Sequence, residues 1–245
     1  MVWSKPGRAV PPQAEKDKRN DIMTKNMGGV SAVNEESAAR LAAVEPAFCA
    51  LLQRIGPLEL KPRRLPPFQA LVHAVIFQQL SGRVANVIWH RFPALFPGRK
   101  FPSPAEVLSA GPAVLRKAGI SRVKCSYIIS IAEQALAGNV PSLSECDKLS
   151  DAEIISRLTL LNGVGRWTAE MFLIFNLGRP DVLPVHDFGV RRGFAVAFRK
   201  RVLPLPARLA RVGARWAPYR TTAALYLWRA ADSNGGVGWQ SSRAG

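Results

Sequence analysis

The sequence predicts an all-α protein, a two-lobed helical bundle with a helix-hairpin-helix turn at the cleft between the lobes. Three observations carry this expectation. Apolar residues recur at helical spacing along most of the stretch from Ser37 to Ala230, and alternating strand patterns are nearly absent. Glycines, prolines and capping serines punctuate that stretch where helices should start and stop. A hydrophobic share of 48% is enough for a sizeable core.

Taken in order, Ala38 to Ile55 carries helical spacing, and GPLELKPRRLPP then breaks it. Phe68 to Phe92 reads as a long helix interrupted near Gln78–Gly82. Ser103, ahead of Pro104, caps a short helix to Ala110, and Pro112 to Ala118 forms another. Ser121 to Ala137 ends at Gly138, as a helix with a C-terminal glycine should. Ser150 and Glu153 have capping-box spacing ahead of Ile154, Ile155, Leu158 and Leu161. Arg166 to Leu177, Phe188 to Phe198, Leu205 to Trp216 and Thr221 to Ala230 complete about ten helices without an internal repeat. The expected organisation is a disordered basic tail over 1–36, a domain over 37–230 with a central lobe at about 68–180, and a flexible tail over 231–245.

Charge narrows the partners. The 245 residues hold 34 Lys and Arg against 17 Asp and Glu, a net charge of +17. Ten of the basic residues fall between Phe188 and Ala231, where no acidic residue occurs. Such a field attracts polyanions, nucleic acid above all. Cys49, Cys125 and Cys146 are odd in number and widely spaced, which suits neither a disulfide framework nor a paired-cysteine metal site, and a reducing cytoplasm is the expected location. No apolar run has the length of a membrane span, so a membrane is not an expected partner.

The chemistry concentrates between Leu161 and Arg192. Leu161-Asn162-Gly163-Val164-Gly165 joins two helices. Glycine allows positive φ and close backbone approach, and Val164 between the two glycines should point inward as an anchor. The amides opening the next helix then form an anion site suited to a DNA phosphate. Carbonyls on the other side of such a turn can hold a monovalent cation bridging to phosphate; no other metal or cofactor is expected. Further on, Asp187 stands where it should cap the helix starting near Phe188. Capping alone would account for it, yet a carboxylate close to Arg191 and Arg192 repels DNA unless it performs a task.

Five blocks in this order resemble one known family: PFQALVHAVIFQQLSGRVA, AGISRVKCSYI, GVGRWTAEMF, LPVHDFGVRRG and WAPYRTTAALYLW. Together they resemble the helix-hairpin-helix (HhH-GPD) DNA glycosylases, in particular the 3-methyladenine DNA glycosylase II branch, over about Ala42 to Ala230. The resemblance implies that Asp187 is the catalytic aspartate and that Trp167 and Trp228 line the pocket for a flipped-out base. Their indole faces would attract a cationic alkylated purine with about 0.5–2 kcal/mol. It implies that Gly163, Val164, Gly165 and Arg191 serve DNA binding, and that Gln79 or Leu80 supplies the wedge filling the gap left by the flipped nucleotide. Bifunctional members carry a lysine where this chain has Trp167, which implies base release without strand cleavage. His186 is placed to tune Asp187, and Met171 departs from an aromatic found in some relatives, which bears on base preference. The four-cysteine iron–sulfur cluster of another branch is missing.

The resulting expectation is a cytoplasmic, nucleoid-associated monomer acting on double-stranded DNA. It would hydrolyse the N-glycosidic bond of alkylated bases such as 3-methyladenine. A glycosylase for an oxidised or deaminated base, and a non-catalytic helix-hairpin-helix DNA-binding protein, are the rival expectations.

Overall fold

A computed structural model describes residues 33–232. The expected tails therefore lie largely outside the described residues, although ordered structure starts earlier and ends later than the expected domain limits. Twelve α-helices occupy the described chain: α1 Glu35–Val44, α2 Ala47–Ile55, α3 Pro67–Phe77, α4 Gly82–Ala94, α5 Pro104–Leu115, α6 Arg122–Leu136, α7 Leu143–Cys146, α8 Asp151–Leu158, α9 Arg166–Met171, α10 Phe188–Ala197, α11 Pro206–Gly213 and α12 Arg220–Asp232. Among the described residues there is no strand, so the all-α expectation holds.

Local chemistry sets most boundaries. Ser103, Ser142 and Ser150 each accept the amide three residues on, while Glu106, Glu145 and Glu153 reach back to the capping residue. These reciprocal bonds satisfy two amides that a helix start leaves without partners. Asn34 and Ser37 do the same for α1, two residues before the expected start. The Ala38–Ile55 pattern is two helices, not one. Pro46 denies the residue before it a helical conformation, and Glu45 is extended at φ −138°. The four-residue α7 is too short to produce a periodic signal in the sequence.

After α9 the chain continues as a π-helical segment, Phe172–Leu177, which Gly178 ends at φ 71°. Pro62 packs where a Cβ of Gly178 would stand. This segment carries Phe175, whose ring faces Trp228 of α12 at 5.8 Å.

Helices α3 to α6 pack on one another, with α8, α9 and the π segment beside them. Helix α10 packs chiefly on α12, and α1 and α2 return to the same group. Helices α10 and α12 approach closely: Gly193 lies against the Leu227 carbonyl, where any side chain would collide with backbone. Trp216, Phe48, Phe194 and Phe198 fill the space beneath through edge and stacked contacts. Arg179 donates to the carbonyls of Cys146 and Leu149 at 2.6 and 2.9 Å, so the loop after the π segment is fastened to the approach to α8.

On α3, His73 stacks on Phe77 at 4.0 Å and meets the edge of Trp89, with the Arg63 guanidinium 3.2 Å from its ring. Burial pushes its pKa down from 6.5 to about 3, and the charge of Arg63 adds to the effect. The unfolded histidine binds a proton near its ordinary pKa, whereas the folded one stays neutral until about pH 3. The stability gained by keeping His73 neutral is therefore complete above about pH 6.5 and is lost progressively as pH falls toward 3. The thermal midpoint of the protein should fall between about pH 7 and pH 4 more steeply than that of His73→Leu. Equal slopes for the two would refute this.

Candidate active site

The hairpin is built on two buried anchors. Leu161 and Val164 insert into the core, and the Val164 amide donates to the Leu161 carbonyl at 3.0 Å. Only the first glycine uses positive φ: Gly163 is at 82°, pressed against the Tyr127 ring on α6. Gly165 is extended at φ −82° and serves as N-cap of α9. A Cβ there would meet nothing within 4 Å in the free protein, so the value of this glycine is access from outside. The amides that open α9 lack intrahelical partners and carry the positive end of the helix dipole. They border a groove of about 930 Å³ lined by the hairpin together with Gln78, Gln79, Lys124 and Tyr127.

Asp187 is N-cap of α10, as expected, and its Oδ1 accepts the Val190 amide at 2.8 Å. Two indoles complete its surroundings. Trp228 Nε1 donates to Oδ1 at 2.8 Å, and Trp167 Nε1 donates to Oδ2 at 2.7 Å. One carboxylate thus receives three hydrogen bonds from three helices, α9, α10 and α12. Gly189 leaves the space for this, since a Cβ there would lie 2.7 Å from Trp228 Cδ1 and 3.1 Å from Asp187 Oδ1. Trp228 is nearly buried, while Trp167 is exposed and Asp187 keeps access to solvent.

Beside the carboxylate lies a second acid, Glu170. Glu170 is 2% exposed, one turn after Arg166, whose Nε donates to its Oε1 at 2.9 Å. Its Oε2 is buried with no hydrogen-bond partner. Burial pushes the Glu170 pKa up, the Arg166 guanidinium opposes the rise, and the charge of Asp187 adds to it.

A bundle with a hairpin clamp beside a caged carboxylate defines a class of DNA-processing helix-hairpin-helix proteins. The family model described as HhH-GPD superfamily base excision DNA repair protein matches residues 72–211, and the chain belongs to that superfamily. It is 39% identical to DNA-3-methyladenine glycosylase 1 of Schizosaccharomyces pombe over 163 residues, which covers 66% of this chain and 72% of the relative. The solved structure of the S. pombe 3-methyladenine DNA glycosylase Mag1 in complex with abasic DNA superimposes with a TM-score of 0.73 at 34% identity, covering 79% of this chain and 95% of that one. A DNA-3-methyladenine glycosidase from Bacillus halodurans superimposes with a TM-score of 0.70 at 34% identity, covering 81% and 91%.

The structure brings Asp187, Trp167 and Trp228 into direct contact, and gathers Gly163, Val164, Gly165 and Gln79 around one groove. Leu80 is exposed beside Gln79, at a second groove behind the first. Arg191 Nε donates to the Pro204 carbonyl at 2.9 Å and so braces the loop after α10. Arg215 pairs with Glu45 and Arg220 with Asp181, so the basic stretch includes arginines that hold the fold together. His186 is exposed, and Met171 is half-buried one turn beyond Trp167. The residues missed from sequence are Gln78, Lys124, Glu170, Phe175 and Gly189. Of these, Gln78 stood in the predicted helix break without a role of its own, and Gly189 gave a local signal as a glycine in the first turn of a helix.

The indole bonds have a measurable consequence. Trp228→Phe keeps an aromatic face against Phe175 but removes the donor to Oδ1. A hydrogen bond to a charged group is worth about 1.5–3 kcal/mol. The turnover rate should therefore fall roughly ten- to hundredfold with little change in KM. A raised KM at unchanged turnover would show that Trp228 only binds the base.

Proposed function

We propose that the protein is a monofunctional DNA glycosylase that releases alkylated bases such as 3-methyladenine from double-stranded DNA by hydrolysing the N-glycosidic bond. The observation that carries the reading is the three-donor cage on Asp187. Capping α10 needs only one carboxylate oxygen. The second is held by Trp167 from another helix, an expense of structure that a non-catalytic DNA-binding protein has no use for. The names and the DNA-bound state of the relatives support the same substrate class.

The chemistry follows from charge. A base alkylated on a ring nitrogen is cationic and leaves neutral, taking the electron pair of the C1′–N bond without needing an acid. Positive charge then builds on the sugar as an oxocarbenium ion. A carboxylate fixed in advance stabilises that charge more in the transition state than in the ground state. Water adds at C1′ and gives up one proton to solvent, and an abasic site remains. The indole edges fix the carboxylate while their rings border the place of the flipped base.

Among the described residues, neither position 167 nor Lys124 offers a free amine for a lyase step. Position 167 is an indole already donating to Asp187, and the Lys124 amine at the groove is bound to two carbonyls. The DNA phosphate sits at the α9 amides. The hairpin carbonyls of Leu161 and Gly163 each accept one protein donor, and each keeps a second lone pair for a monovalent cation bridging to that phosphate. The protein acts as a monomer, in a reducing compartment that suits its free cysteines.

Asp187→Asn should keep the cap, since Asn caps helices as well as Asp does. Release of base from methylated duplex DNA should fall by about three orders of magnitude, with DNA affinity within a few fold. Full activity would overturn the mechanism, and strand breaks by the wild-type protein before alkali treatment would overturn the monofunctional assignment. Affinity for duplex DNA should drop by at least about tenfold between roughly 50 and 200 mM salt. An affinity indifferent to salt would remove phosphate contact as the basis of binding.

A further inference from the structure

The interruption between α3 and α4 is fastened from two sides. The side-chain amide of Gln78 donates to the Gly163 carbonyl at 3.0 Å and to the Thr168 hydroxyl at 3.0 Å, so its two hydrogens tie the loop to both the hairpin and α9. From α6, the Lys124 ammonium donates to the carbonyls of Ile76 and Gln78 at 2.8 and 2.6 Å. These carbonyls lie at the C-terminal end of α3, where intrahelical donors run out and a cation is favoured. Gln79, the next residue, is at φ 55°, a conformation that non-glycine residues hold when their surroundings impose it. Gln79 and Leu80 are exposed, and they stand on a ridge between two grooves. One is the groove of about 930 Å³ at the hairpin, and the other, of about 310 Å³, reaches Leu80, Val84 and Ile88. Gln78, Gln79 and Lys124 border both.

We propose that Gln78 and Lys124 are positioning residues that hold the Gln79–Leu80 tip erect and join it rigidly to the hairpin, so that phosphate capture and insertion of the tip into the duplex are one event. The proposal rests on the reading that DNA lies on the hairpin groove with the tip in its stack. Neither residue touches the reacting atoms. Gln78 holds the hairpin through the Gly163 carbonyl and leaves the outward amides to the phosphate. Lys124 holds the backbone on which the Gln79 conformation depends. Without either, Gln79 returns to ordinary backbone angles and the tip loses its fixed height over the groove.

The test is a double-mutant cycle between the fasteners and the tip, read on base release from methylated duplex DNA and on affinity for a duplex carrying a stable abasic-site analogue. Lys124→Met keeps the apolar stem and removes the donors; Gln78→Leu keeps the bulk and removes the amide. Each should lower turnover and abasic-site affinity about tenfold, with Lys124→Arg recovering part of the loss. In a Gln79→Ala/Leu80→Ala background, Lys124→Met should add less than about twofold, because residues that act through one another are not additive. Losses that multiply across the backgrounds would mean that Lys124 only supports the fold, and no loss at all would equally overturn the proposal. Should the wild-type protein release no base, the glycosylase reading fails, whereas the abasic-site affinities still decide the role of the tip.

Discussion

The site depends on one carboxylate being held by donors from three helices. Asp187 starts α10, Trp167 comes from the first turn of α9, and Trp228 from α12. An indole N–H placed 2.7–2.8 Å from a carboxylate oxygen leaves little freedom for the helices that carry it. The close contact of Gly193 with the Leu227 carbonyl sets the height of α12 against α10. Gly189 then clears the path of the Trp228 edge toward Asp187. Packing and chemistry are thus the same constraint: a side chain at either glycine would separate the donor from the acid.

The second constraint is the join between hairpin and loop. A helix start can bind an anion wherever it is exposed. Gln78 bonds across to Gly163 and Thr168, which joins the loop after α3 to the hairpin and α9, and Tyr127 supports the same turn from α6. The groove that results runs along the hairpin, outside the carboxylate cage. The clamp and the cage are adjoining devices, linked through α9, which begins at one and presents Trp167 to the other.

Charge is divided between function and architecture. Arg191 and Arg215 each place one guanidinium nitrogen on a carbonyl or carboxylate of the fold, and Arg220 places two on Asp181. Arg199, Lys200 and Arg201 are exposed at the far end of α10, about 15 Å from Asp187 by helical rise, where they contribute long-range field. The Glu170–Arg166 pair puts a buried acid behind the carboxylate and a half-free guanidinium beside the hairpin.

Features that depend on residues up to four positions apart are legible in the chain. Serine and glutamate capping boxes, the glycine hairpin with its Val164 anchor, and Asp187 as a helix cap are all local patterns, because helical hydrogen bonds and caps span only that distance. Two helices in place of one between Ala38 and Ile55 was also written locally, in Pro46, and the periodic apolar pattern masked it. The remaining contacts arise only once the chain is folded. Trp228 lies 41 residues from Asp187 and Gln78 lies 85 from Gly163, so no periodicity marks either bond. Composition likewise cannot separate an arginine that meets DNA from one that holds a loop, since the two differ only in which carbonyl or carboxylate the folded chain brings within reach.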